Sequence, residues 1–186
     1  MMKIRIKFRK YGTMKFIGHL DVMRYFQKAI RRSEVNIRYS EGFSPHQIMS
    51  FAAPLGVGIT SKGEYVDIEV LDTENSKKMI DRLNAVMSEG FEILEYKLLP
   101  DDAANAMSIV AAADYSLVFR PGYEPEKESP EEWFEKLVRF FDADHVMIMK
   151  KTKKGEREMD LKPFVYELNV RKNGEVPALF MKVSAG

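Results

Sequence analysis

The side chains with chemistry to offer are gathered between positions 18 and 64. His19, Asp21 and His46, joined by Glu64, carry the nitrogen and oxygen donors that hold a divalent cation. A histidine with Tyr39 would instead supply the general acid and base that metal-independent cleavage of RNA requires. The spacing argues against the metal. A helical H-x-D does not put both side chains on one face, and no H-x-x-x-H is present. Zero cysteines remove a thiolate nucleophile, disulfides, cysteine-ligated zinc and any iron–sulfur cluster held by this chain alone. Neither a metal nor a cofactor is expected, and His19 and His46 remain as the candidates for acid–base work. Asp21 sits in the first turn of a helix, three residues before Arg24, where the helix dipole and an ion pair account for it. The phosphate-binding loop, dinucleotide and nucleophile-elbow signatures are absent.

The same stretch is cationic. Residues 1–50 hold 11 Lys/Arg against 3 Asp/Glu, and the other 136 residues hold 18 against 25, so a net charge of +1 hides a basic front and an acidic remainder. Within a helix expected over 19–33, Arg24, Lys28, Arg31 and Arg32 recur at i, i+4, i+7 and i+8 along one flank. Leu20, Met23, Phe26 or Gln27, and Ile30 make the stripe expected to be buried. Beyond the helix, Gly42 and Pro45 punctuate a bend that would present Tyr39, Ser40, Phe43 and His46 on a shaped loop. Gly56 and Gly58 allow a close backbone approach. Cations interleaved with aromatics are the footprint of a surface that meets RNA. Arg24, Lys28, Arg31 and Arg32 would contact phosphates, Tyr39 and Phe43 would stack on bases, and His46 would lend a hydrogen bond. Lys153 and Lys154, in the basic turn expected over 150–157, offer a second patch of the same sign.

Elements must hold these groups in place. With 45% apolar and 11% aromatic residues the chain can build real cores, and no apolar run approaches the length of a membrane span. The N-terminus alternates charged and apolar residues instead of forming a signal-peptide core, so the expected compartment is the cytoplasm, with no membrane partner. Residues 3–9 alternate at period 2, with Ile4, Ile6 and Phe8 on one face and Lys3, Arg5, Lys7 and Arg9 on the other. On an edge strand such a cationic row would block edge pairing. Strands over 47–53, 64–71 and 91–99 and a helix over 75–88 complete the order strand, helix, strand, strand, helix, strand. The fold class expected is therefore α+β, with a ferredoxin-like βαββαβ sandwich over 1–100. Residues 101–113 read as a linker and 114–186 as a second, incomplete βαββ-type half that looks truncated at its C-terminus. In that half the helix opening at Ser129-Pro130 would bury Trp133, Leu137, Phe140 and Phe141, and Asn173-Gly174 would join the last two strands.

The combination of Gly18, His19, Asp21, Arg24, Arg31, Arg32, Tyr39, Ser40, Gly42, Phe43, Pro45 and His46 with Pro54, Leu55, Gly58, Ser61 and Glu64 resembles the radical-SAM-linked family. Lys153, Lys154, Gly155, Asp160 and Pro163 extend the likeness over nearly the whole chain. Members of that family lie beside, or are fused to, the C-terminus of B12-type radical SAM proteins. The resemblance implies an accessory module to an enzyme that modifies RNA or a carrier-bound substrate, with a radical SAM protein as partner. The shape expected of the N-terminal half is also similar to that of CRISPR repeat-processing endoribonucleases, at the level of fold alone. Three functions follow as expectations: a non-catalytic RNA-binding accessory domain, a protein-interaction module docking the radical SAM subunit, and a metal-independent endoribonuclease using His19 or His46.

Overall fold

The alternation at the N-terminus makes Met2–Lys10 a strand, β1, and its pleat buries Ile4, Ile6 and Phe8 while Lys3, Arg5, Lys7 and Arg9 face the other way. The computed structural model describes residues 1–153 and 155–185, and the chain divides into two units, Met1–Val110 and Ala111–Gly186. In the first unit α1 (His19–Arg32), β2 (Met49–Phe51), β3 (Ser61–Val70), α2 (Ser76–Asn84) and β4 (Phe91–Leu99) follow β1. The four strands form one antiparallel sheet in the order β2-β3-β1-β4. The architecture is α+β, and the element order is the one expected from the sequence.

That topology corrects the reading of the cationic row. β1 is an inner strand, paired to β3 on one side and β4 on the other, so its basic face is not edge protection. Each cation is answered locally instead. Arg5 donates through Nε and Nη2 to both carboxylate oxygens of Asp67 at 2.8 and 2.9 Å. Lys7 reaches Glu95 at 3.0 Å, Arg9 pairs with Glu92, and Lys3 donates to the carbonyl of Asp101 at 2.7 Å. The acids come from strands β3 and β4, opposite or nearly opposite in register, which is where cross-strand charge pairs stabilise a sheet.

The core lies between the sheet's other face and the helices. α1 buries Val22, Phe26, Ala29 and Ile30, a stripe displaced from the expected one: Phe26 and Ile30 are inside, Met23 is partly buried, and Leu20 is 61% exposed. The ring of Phe26 packs on Phe8, Phe51 and Phe91, and that aromatic cluster fixes the helix's rotation. α2 is capped by Asn75, whose side chain accepts from the Lys78 N–H at 3.0 Å, and it ends at Asn84, short of the expected position 88. Asn84 is the reason: its amide exchanges hydrogen bonds of 3.0 and 2.8 Å with the backbone of Ile93 and so clamps the start of β4. Residues 101–110, in the stretch read as linker, include the helical turn α3 (Ala106–Ile109), whose first N–H donates to Asp67 at 2.7 Å.

The second unit comprises β5 (Ala112–Leu117), α4 (Pro130–Phe141), β6 (Met147–Thr152), β7 (Gly155–Asp160), β8 (Val165–Asn173) and β9 (Val176–Ser184). Its three-stranded sheet has the order β5-β9-β8, while β6 and β7 pair with each other alone among the described residues. The basic turn expected over 150–157 is mostly strand, because Thr152 stands opposite Gly155 and pairing runs back from there. The Ser129–Glu132 capping box forms as its spacing requires. Phe134 is the residue α4 buries, stacked on Phe119 at 5.0 Å, whereas Trp133 and Phe140, expected inside, are exposed. No helix of the described residues is long and apolar enough to cross a membrane.

The burial of the charge pairs sets their worth. Asp67→Asn is expected to cost about 2 kcal/mol in urea unfolding, since a largely buried guanidinium loses charge-assisted bonds. Glu95→Gln, whose side chain is 58% exposed, is expected to change stability by under about 0.5 kcal/mol. Equal losses at the two positions would show that burial does not govern this ladder.

Candidate functional site

Two places draw on the residues singled out above: an exposed basic surface on α1 with the loop that follows it, and a small cavity at the start of that helix. On the surface, Arg24, Lys28 and Arg31 line the solvent side of α1. Arg24 lies 3.7 Å from Asp21, with both side chains well exposed, so the pair is weak and Asp21 has the helix-turn role expected of it. Among the described residues Lys28 and Arg31 have no carboxylate partner. Arg32 turns aside: it donates to the carbonyl of Val86 at 3.1 Å and lies over Tyr25, which ties α1 to the end of α2.

The loop is built on a closed base. Tyr39 bridges Gln47 in antiparallel fashion. The Ser40 N–H donates to the His46 carbonyl at 2.8 Å, the His46 N–H donates to the Ser40 hydroxyl at 3.1 Å, and that hydroxyl lies 2.8 Å from His46 Nδ1. His46 and Ser40 therefore clasp the loop shut. Within it Gly42 takes φ of +107°, a conformation that a side chain would strain, and the turn throws Phe43 wholly into solvent with Pro45 beyond it. Gln47 is buried, and its Nε2 donates to the Gln27 carbonyl of α1 at 3.2 Å and lies 3.4 Å from the Tyr39 hydroxyl. This contact ties the base of the loop to α1. Lys153 is exposed at the end of the β6–β7 pair, and Lys154 lies outside the described residues.

The cavity is lined by Phe8, Lys10, His19, Val22, Phe51, Ala53, Leu55 and Glu64, and about 10 Å³ of it is open, room for a single water. Gly18 is the N-cap residue of α1, next to His19, and Gly58, at φ of +89°, donates its N–H to the Lys15 carbonyl at 2.7 Å. Lys10 is only 1% exposed and donates to the Ile17 carbonyl at 2.9 Å. Burial lowers the Lys10 ammonium below the ordinary lysine range against the pull of Glu64. Burial likewise raises the Glu64 carboxyl, opposed by a hydrogen bond with Ser61 and the charge of Lys10. The ring of His19 meets Phe51 edge to face at 5.3 Å.

His19 and Glu64 thus share a cavity, and His46 and Asp21 do not line it. No cluster of three or more histidine, aspartate or glutamate side chains suited to a metal occurs among the described residues. Lys10 was absent from the sequence-level candidates, although the parity that buries Ile4, Ile6 and Phe8 carries straight on to position 10.

A family model matches residues 3–186. The chain belongs to DUF2344, the family described as uncharacterized proteins conserved in bacteria. No curated protein matches it. Both the basic surface and the cavity fall inside the span that the family model covers.

The buried carboxyl makes a signed prediction. Between the ordinary glutamate value of 4.5 and the raised folded value, the folded state keeps a proton that the unfolded chain has lost. The stability that Glu64 contributes is therefore complete below that window and is lost as pH rises through it. In urea titrations, the stability of the wild type relative to Glu64→Gln is expected to fall with increasing pH over this range. A difference that stays constant with pH would show that Glu64 ionises alike in both states.

Proposed function

We propose that the protein is a non-catalytic RNA-binding accessory module that works with a radical SAM enzyme. The observation that supports this reading is the exposed row of Arg24, Lys28 and Arg31 on α1, followed in the chain by a loop that exposes Tyr39 and Phe43 and whose base is tied to α1 by the Gln47–Gln27 contact. Cations without acidic partners supply sequence-independent attraction for phosphates, and protruding rings supply stacking surfaces for unpaired bases. The recognition face is α1 and its loop rather than the sheet face opposite the core, whose cations are already matched by Asp67, Glu92 and Glu95. His46, committed to its loop clasp through Nδ1, serves to shape the surface. The radical SAM partnership rests on the resemblance carried by Gly18 through Pro163.

Leu20 on α1 and Phe43 in the loop that follows, both apolar and exposed, favour a second reading in which this region docks the radical SAM subunit. Cleavage of RNA at His19 gains no support from a cavity of about 10 Å³, too small for a nucleotide. Filter binding with a labelled single-stranded RNA at low salt separates the first two. Binding is expected to weaken steeply with salt, and Lys28→Glu with Arg31→Glu is expected to lower affinity at least about tenfold for all sequences alike. Phe43→Ala is expected to cost about 1–3 kcal/mol of RNA binding, with no change in thermal stability. Absence of RNA binding at low salt, together with nuclease-resistant co-purification of a radical SAM protein that the double reversal abolishes, would replace this reading with the docking one.

A further inference from the structure

The β6–β7 pair is a two-stranded ribbon that pairs with no third strand among the described residues, and its base is fixed by one carboxylate. Asp160 accepts hydrogen bonds from His145 Nδ1 at 2.8 Å, from the Val146 N–H at 2.9 Å and from the Lys162 N–H at 3.0 Å. Register and pleat then sort the side chains, because residues directly opposite share a face and successive residues alternate. Asp160 opposite Met147, Glu158 opposite Met149 and Glu156 opposite Lys151 all fall on one face, where Lys151 and Glu156 pair at 3.4 Å. On the other face Met159 stands opposite Ile148 and Arg157 opposite Lys150. All three acids of β7 are therefore turned away from the Lys150–Arg157 pair. Both cations are exposed, and neither has a carboxylate partner among the described residues. Two like charges directly opposite in a ladder oppose pairing. An anion between them removes the repulsion, and a phosphate offers acceptor oxygens to both the ammonium and the guanidinium.

We propose that this face of the ribbon is a second phosphodiester-binding element, in which Lys150 and Arg157 close from opposite strands on one backbone phosphate of RNA. The proposal rests on the reading of the protein as RNA-binding and adds a contact in the second unit that is independent of α1. It makes no use of base edges, so this contact is blind to sequence.

The test uses the full chain and a labelled single-stranded RNA of mixed sequence, titrated over a range of salt concentrations. Four proteins are compared: wild type, Lys150→Ala/Arg157→Ala, the opposite-face control Lys151→Ala, and Lys28→Glu/Arg31→Glu. The ribbon pair is expected to weaken binding about tenfold and to make the salt slope shallower by about 0.7, the contribution of one phosphate contact on a single strand. Lys151→Ala is expected to bind as wild type does. The ribbon pair should also melt no lower than wild type, since it removes a repulsion. If the α1 reversal weakens binding and the ribbon pair does not, the ribbon proposal is overturned and the RNA reading stands. If the ribbon pair weakens binding and the α1 reversal does not, the ribbon proposal stands and the α1 surface falls. Loss of affinity equal to that of Lys151→Ala would reduce the effect to bulk charge and overturn the clamp. Self-association of the ribbon pair with unchanged RNA affinity would assign the two cations to edge protection and overturn it as well. No binding by the wild type overturns both.

Discussion

The pleat of β1 is the constraint on which the first unit depends. One nine-residue strand, held between two antiparallel neighbours, must send every second side chain into the core and every other one to the opposite face. Ile4, Ile6 and Phe8 meet this demand with apolar surface, and Phe8 becomes a hub onto which Phe26, Phe51 and Phe91 pack. Arg5, Lys7 and Arg9 meet it with charge, which the sheet accommodates because its flanking strands bring Asp67, Glu95 and Glu92 into register. The last inward position is a lysine. Lys10 is carried into the core by the same geometry as the isoleucines, and its ammonium must then be satisfied from within, by the Ile17 carbonyl and the field of Glu64.

Seen this way, the basic front half contains two populations of cations. Those of the strand are consumed by the fold, since an inner strand brings neighbours close enough to supply counter-ions. Arg24, Lys28 and Arg31 of α1 are not, because the helix turns them to solvent and the acid beside Arg24, Asp21, is itself exposed, whereas Arg32 is held by the Val86 carbonyl and the Tyr25 ring. Net charge in a segment therefore overstates the charge offered to a partner. The cations that count are the ones left unmatched after the sheet has formed.

The same sorting by pleat recurs in the ribbon of the second unit, with the opposite result. There the acids of β7 fall on one face and the Lys150–Arg157 pair on the other, so alternation separates charges that are neighbours in sequence. In β1 opposite charges come from different strands and cancel. In the ribbon each strand has one partner only, so no third strand among the described residues brings an acid to the bare face.

Much of the fold was legible in the amino-acid order alone, because it depends on local periodicity. The alternation of residues 3–9, the helix opening at Ser129-Pro130 and the Asn173-Gly174 turn each specify their element within a few residues. The sequence by itself also determined which face of β1 is basic and that the chain has no cysteine chemistry. The tertiary structure decided what periodicity cannot reach. It turned α1 so that Leu20 is exposed and Val22 buried, since rotation about a helix axis is set by the aromatic cluster it packs against. It separated His19 from His46, putting one at a cavity and the other in a loop clasp, because two residues far apart in sequence meet only where strand order and loop docking bring them. Among the described residues it left Lys28 and Arg31 without acidic partners and matched Arg5, Lys7 and Arg9. The pairing of a charge depends on which strands become neighbours, and that is a property of the assembled sheet.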